Sequence, residues 1–246
     1  MTVATKAKTT AAPKQNQQQM LIIGGIVVAA IIAVIALIAL SGQTAGSTVD
    51  YASLPQSRTP EGGFVIGNPD APITIIEFAD YACPACQSYL PDVERFIADY
   101  VVTGQARFEY HVFPTAGGAQ TAFAGDMAEC MDNAQPGAFW TAYVRFNQLA
   151  QQGSYPDAPR IVARELGLNY SDLLACEQEN SMVEQSVALG QQLRVEGTPA
   201  VRVRYADGNP TFIFFAGQSF ERGPVSYDVL AGITQQANAG VSADGS

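Results

Sequence analysis

The stretch from Ile73 to Tyr89, "ITIIEFADYACPACQSY", decides how this chain folds. Its opening, Ile73 to Ala79, is rich in β-branched and aromatic residues and follows the turn-rich "GNPDAP", so it reads as a buried strand. Cys83-Pro-Ala-Cys86 comes next. Beyond it Leu90, Val93, Phe96, Ile97 and Val101 recur at helical spacing, and Pro91 within that run predicts a kink. "ARFEYHVFP", 106–114, reads as a second strand. The two cysteines therefore stand at the top of a strand–helix–strand unit, with Cys83 at or just before the helix start.

Working outward, residues 118–195 carry helical periodicity. "AFAGDMAECM" puts Phe123, Met127 and Cys130 on one face, and "FWTAYVRFNQLAQQ" continues the period. "DAPRIVARELGL", "SDLLACEQE" and "SMVEQSVALGQQLRV" supply three more segments, the second with Ser171 as its expected cap. Strand pattern returns in "AVRVRY", 200–205, and "TFIFFAG", 211–217, joined by "ADGNP"; "SYDVLAGITQQAN" closes as a helix. The expected fold class is α/β, with a βαβ half, an inserted α-helical domain at about 118–195 and a ββα half, together spanning 64–238. Residues 41–63, dominated by small residues, Gln, Thr and Pro, are expected to form a flexible linker, and 239–246 a disordered tail.

Upstream lies "MLIIGGIVVAAIIAVIALIAL", 20–40, which contains no charge. At about 1.5 Å per residue it matches a hydrocarbon core of roughly 30 Å, and it is longer than the apolar region of a cleaved leader. It is expected to be one transmembrane signal anchor. Lys6, Lys8 and Lys14 precede it, and the first acid is Asp50. Positive flanks stay in the cytoplasm. Residues 1–19 are then a cytoplasmic tail, and the remainder faces the extracytoplasmic side of the inner (plasma) membrane. Every basic residue after the tail is arginine, in a chain of formal net charge −10. An acidic exported domain of this kind argues against a nucleic-acid partner.

Three features together resemble the DsbA-like thiol–disulfide oxidoreductases, a thioredoxin fold with a helical insert in its membrane-tethered bacterial form. They are "EFADYACPAC", "GTPAVRV" (Gly197–Val203), which is similar to that family's cis-proline loop, and the lead-in "GNPDAPITIIEF". The resemblance covers about 64–238. It implies catalytic roles for Cys83 and Cys86 and a cis Thr198–Pro199 bond beside Cys83, where an extended client could pair. For Glu77 it implies a buried acid that exchanges a proton with Cys86, the alternative being an arginine-paired structural acid. It also implies exported cysteine-containing clients and a membrane redox partner, DsbB-like or vitamin-K-epoxide-reductase-like, and no cofactor. Ala85 stands where the family's strong oxidant has histidine.

The residues suit that chemistry. A cysteine at a helix N-terminus faces unpaired N–H groups and the positive end of the helix dipole, which stabilise thiolate. Pro84 has no N–H and fits the first turn. Thiols so placed ionise at about pH 3.5–7.5, and a stable thiolate is a good leaving group.

Cys130 and Cys176 complete the even cysteine count. The family and an oxidising compartment imply a structural disulfide between them, the alternative being two separate buried thiols. A four-cysteine zinc site would need two close pairs, and only one is present. His111 reads as a structural histidine with no Ser-His-Asp set in view, and Trp140 as helical core. Two other functions stay open on sequence: a reductase or isomerase, for example serving cytochrome maturation, and a non-enzymatic accessory subunit of a membrane complex.

Overall fold

The computed structural model describes residues 49–240. Five strands form the main sheet: β1 (Gln56–Arg58), β2 (Phe64–Gly67), β3 (Ile73–Ala79), β4 (Arg107–Val112) and β5 (Ala200–Tyr205). They lie in the order β1-β2-β4-β3-β5. β3 and β4 are parallel and joined by α1 (Pro84–Phe96), whereas β5 runs antiparallel to β3 and β2 antiparallel to β4. Every residue of β3 is buried, Thr74 and Glu77 included, as its predominantly apolar run requires for a strand with a neighbour on each edge. The register sets Glu77 between Val201 of β5 and Tyr110 of β4.

α1 runs through Pro91 to Phe96 and widens into a π turn at Ile97–Val101. Its Tyr89 hydroxyl donates to the Val225 carbonyl at 2.7 Å. That bond ties α1 to the segment leading into the last helix, α7 (Tyr227–Asn238).

The insert consists of α2 (Ala119–Ala134), α3 (Ala138–Gln151), α4 (Ala158–Glu165), α5 (Tyr170–Glu177) and α6 (Met182–Gln192). α3 buries Phe139, Trp140, Tyr143 and Phe146, and Phe139 stacks on Phe64 of β2 at 3.5 Å. Each such side chain removed from water contributes about 1.5–3 kcal/mol, so the insert and the sheet share one core. Trp140 fills it as its position in the helical pattern requires.

Three sequence expectations need correction. Asn169, not Ser171, caps α5: Asn169 has extended backbone, and its side chain accepts from the Ser171 N–H at 3.0 Å. The run 211–217 does not continue as one strand of the sheet. Ala216 and Gly217 both take positive φ, 51° and 80°, the requirement of a two-residue hairpin turn. The run therefore folds back as a separate ribbon of β6 (Ile213–Phe215) and β7 (Gln218–Phe220), with only a bridge from Thr211 to Val203. Part of the stretch expected to be linker is folded as well. From Val49 onward it packs on the domain, with Tyr51 stacked on Trp140 at 5.7 Å and Arg58 of β1 lying over the Phe64 ring and pairing with Glu129.

The expected anchor at 20–40, the tail at 1–19 and residues 241–246 lie outside the described residues. Among the described residues, no helix is long and apolar enough to cross a membrane.

Candidate active site

Cys83 is the N-cap of α1, with extended backbone (φ −78°, ψ 120°). Its carbonyl accepts the first helical bond, from the Gln87 N–H at 3.0 Å, and its own N–H donates to the Asp80 carbonyl at 3.0 Å. Pro84 occupies the first turn. The sulfur thus sits at the positive end of the helix.

The sheet brings the cis-proline loop to this point. Thr198–Pro199 is a cis bond, and the Thr198 carbonyl accepts from Cys83 Sγ at 3.4 Å. β5 begins one residue later and is locked to β3, so the loop cannot drift from the helix start.

The two thiols differ sharply in acidity. Burial alone would raise Cys83, but hydrogen bonds from the Thr198 side chain, from the Cys86 N–H and thiol and from the Ala85 N–H outweigh it. Cys83 is left below its ordinary value. Burial pushes the Cys86 thiol far above its usual range, and the charge of Glu77 adds to the effect. Glu77 is 3% exposed, and burial lifts its carboxyl from 4.5 to about 8. Among the described residues, no hydrogen bond or ion pair reaches it, so the arginine-paired alternative does not hold. Of the two sulfurs Cys83 gives up its proton the more readily, Cys86 holds its own, and a buried acid is coupled to the second.

Cys83 and Cys86 are free thiols, whereas Cys130 and Cys176 form a disulfide, with Cα atoms 5.9 Å apart, that joins α2 to α5. A cleft of about 300 Å³ opens beside the cis-proline, lined by Glu196–Ala200 and Glu221–Gly223. A larger cavity, about 570 Å³, lies between the N-terminal segment and the insert and is lined by none of the site residues.

Two features escaped the sequence. Ser186, His111 and Glu109 form a line, with His111 Nδ1 3.0 Å from Ser186 Oγ and Nε2 2.9 Å from Glu109. All three are 0% exposed, and the Ser186 hydroxyl donates to the Gly62 carbonyl. No substrate reaches that serine, and the line serves as a structural tie between β4, α6 and the lead-in loop. The second feature is Asp80, a buried acid three residues before Cys83. Its carboxylate accepts from the N–H groups of Ala82, Thr115 and Gly117. An acid at the end of an apolar strand was the only sequence signal for it, and nothing in the sequence marked Thr115.

The family model described as Thioredoxin matches residues 59–208, and the chain belongs to that family. Disulfide bond formation protein D of Bacillus subtilis (strain 168) is 25% identical over 154 residues, covering 58% of this chain and 68% of that protein. The crystal structure of oxidised BdbD from Bacillus subtilis has a TM-score of 0.55 at 20% identity, covering 73% of this chain and 95% of that one. Wolbachia pipientis alpha-DsbA1 has a TM-score of 0.55 at 17% identity, covering 72% and 92%. These two likenesses concern the fold. Within the family, the cysteine pair makes the chain a thiol–disulfide oxidoreductase, and its helical insert gives it a DsbA-like fold.

Proposed function

We propose that this protein forms disulfides in exported proteins, held at the extracytoplasmic face of the membrane by residues 20–40. The observation that carries the direction is the unequal acidity of the two thiols: a stabilised Cys83 anion favours the dithiol form of the enzyme and makes its disulfide oxidising. Cysteine-containing exported clients fit the names of two of the curated relatives, disulfide bond formation protein D of Bacillus subtilis and the probable disulfide bond formation protein D of Bacillus anthracis.

In the proposed sequence the enzyme starts with a Cys83–Cys86 disulfide. A client thiolate attacks Cys83 Sγ, the S–S bond breaks, and Cys86 departs with the electron pair. Its high proton affinity means that it must be protonated, and Glu77 carries a proton up to pH about 8. A second client thiolate attacks the client sulfur of the mixed disulfide and expels Cys83 as a stable thiolate. The client gains a disulfide, and the enzyme pair holds two electrons. A membrane partner of the DsbB or vitamin-K-epoxide-reductase kind would accept them. Thr198 and Pro199 line the cleft in which the client backbone would lie.

The test is replacement of Cys83 by Ala in the full chain, with the thiols of exported proteins counted by alkylation and mass spectrometry. The reading expects clients to accumulate in reduced form. Unchanged client oxidation would remove it.

A further inference from the structure

Asp80 leaves β3 toward Cys83, and five donors converge on its carboxylate. They are the N–H groups of Ala82 at 2.8 Å, Thr115 at 2.7 Å and Gly117 at 2.9 Å, and the hydroxyls of Thr115 at 3.2 Å and Thr121. A carboxylate accepts and cannot donate, and a hydroxyl has a single proton to give. The Thr115 hydroxyl therefore commits its proton to Asp80. Its oxygen lies 2.6 Å from the Thr198 hydroxyl oxygen. With the Thr115 proton already used, Thr198 is the donor in that contact.

Thr198 also adjoins the Cys83 sulfur: its carbonyl lies 3.4 Å from Sγ, and its side chain helps to lower that thiol. The one hydroxyl proton of Thr198 cannot serve both partners. Two acceptors thus stand at opposite ends of a chain of two hydroxyls: the Asp80 carboxylate, which is fixed, and the Cys83 sulfur, which becomes a strong acceptor only when ionised.

We propose that Asp80 and Thr115 are positioning residues that restrain the ionisation of Cys83, by turning the Thr198 hydroxyl away from the sulfur while the thiol is intact. When the thiolate forms, both hydroxyls turn. Thr198 donates to sulfur, and Thr115 leaves Asp80 to donate to Thr198. Asp80 keeps its N–H donors and the Thr121 hydroxyl, so the loop holds while the hydroxyls reorient. Neither Asp80 nor Thr115 bonds to the reacting atoms. The other ionisable groups about the sulfur are Cys86 on α1, Glu77 coupled through Cys86, and the exposed Glu196–Arg222 pair on the cleft rim.

This inference rests on Cys83 being the reactive sulfur, and the test separates the two ideas. The pH dependence of Cys83 alkylation by iodoacetamide is followed by mass spectrometry in the reduced full-length chain. Four proteins are compared: wild type, Thr115→Val, Thr198→Val and the double variant. Thr115 is exposed and valine is nearly its shape, so the fold is retained. Thr115→Val should move the profile to lower pH, raising the ionisation constant of Cys83 about two- to tenfold, the effect of one hydrogen bond of ordinary net strength. Thr198→Val should move it to higher pH, and the double variant should match Thr198→Val because the chain has lost its middle member. Asp80→Asn should act in the direction of Thr115→Val; if it fails to fold, Thr115→Val decides. An unmoved or upward-shifted Thr115→Val profile, or additive effects in the double variant, would overturn the inference. Wild-type Cys83 reacting no faster than Cys86 would instead overturn the functional reading.

Discussion

Replacing Glu77 by Gln should make the protein more stable above neutral pH while weakening its chemistry. The carboxyl is raised from 4.5 to about 8 by burial. A pKa raised by folding means that the folded state keeps a proton which the unfolded state releases. Below pH 4.5 both states are protonated, and the carboxyl imposes no penalty. As pH rises toward 8 the unfolded chain gives up its proton and the folded protein does not, so stability drains away until the folded carboxyl also titrates. At about 1.4 kcal/mol per pH unit the loss is on the order of 5 kcal/mol. Glutamine has no proton to retain and abolishes this slope. Urea unfolding of the reduced full-length proteins across that window measures the effect, and Cys86 titrates too high to interfere. The stability advantage of Glu77→Gln over wild type should grow steadily from pH 4.5 to 8. Formation of the mixed disulfide in the same variant should slow, because the departing Cys86 loses its proton source. Parallel stability curves for the two proteins would refute the claim that this carboxyl is buried and neutral.

Two further outcomes follow from the rest of the molecule. Changing Cys130 and Cys176 together to Ser frees a loop whose ends are 46 residues apart; chain entropy puts the cost at roughly 4 kcal/mol, seen as a lower urea midpoint that disappears when both proteins are compared under reductant. Arg202 is 1% exposed and donates to the carbonyls of Leu193, Arg194, Val201 and Glu221. Arg202→Met leaves those acceptors unpaired and should cost on the order of 3 kcal/mol in unfolding free energy; a loss below about 1 kcal/mol would show that water replaces the guanidinium.

The parts of the fold readable in the sequence were those where a period and a local chemical constraint coincide. β3 was legible to the residue because its apolar run is bounded by "DAP" and the cysteine loop, and Cys83 because the proline after it is favoured at the first helical position. The five insert helices fell within the expected 118–195 for the same reason. The 211–217 run misled because its apolar residues match strand chemistry, while the turn that splits it depends on a positive φ at Ala216, which alanine does not advertise. β1 was missed because all three of its residues are exposed and give no alternation; only pairing with β2 makes it a strand. Within the site, Cys83, Cys86, Glu77 and the Thr198–Pro199 loop converge as the motifs implied. Asp80 and Thr115 could not be foreseen, since their contact joins positions 35 apart across an unpatterned loop.

The central claim is that the Cys83–Cys86 pair gives its disulfide away rather than accepting one. Equilibration of the full-length protein with glutathione buffers, read by alkylation and mass spectrometry, measures its reduction potential directly. The account predicts a value nearer the roughly −120 mV of a strong oxidant than the roughly −270 mV of thioredoxin. A potential at or below that of thioredoxin would contradict it.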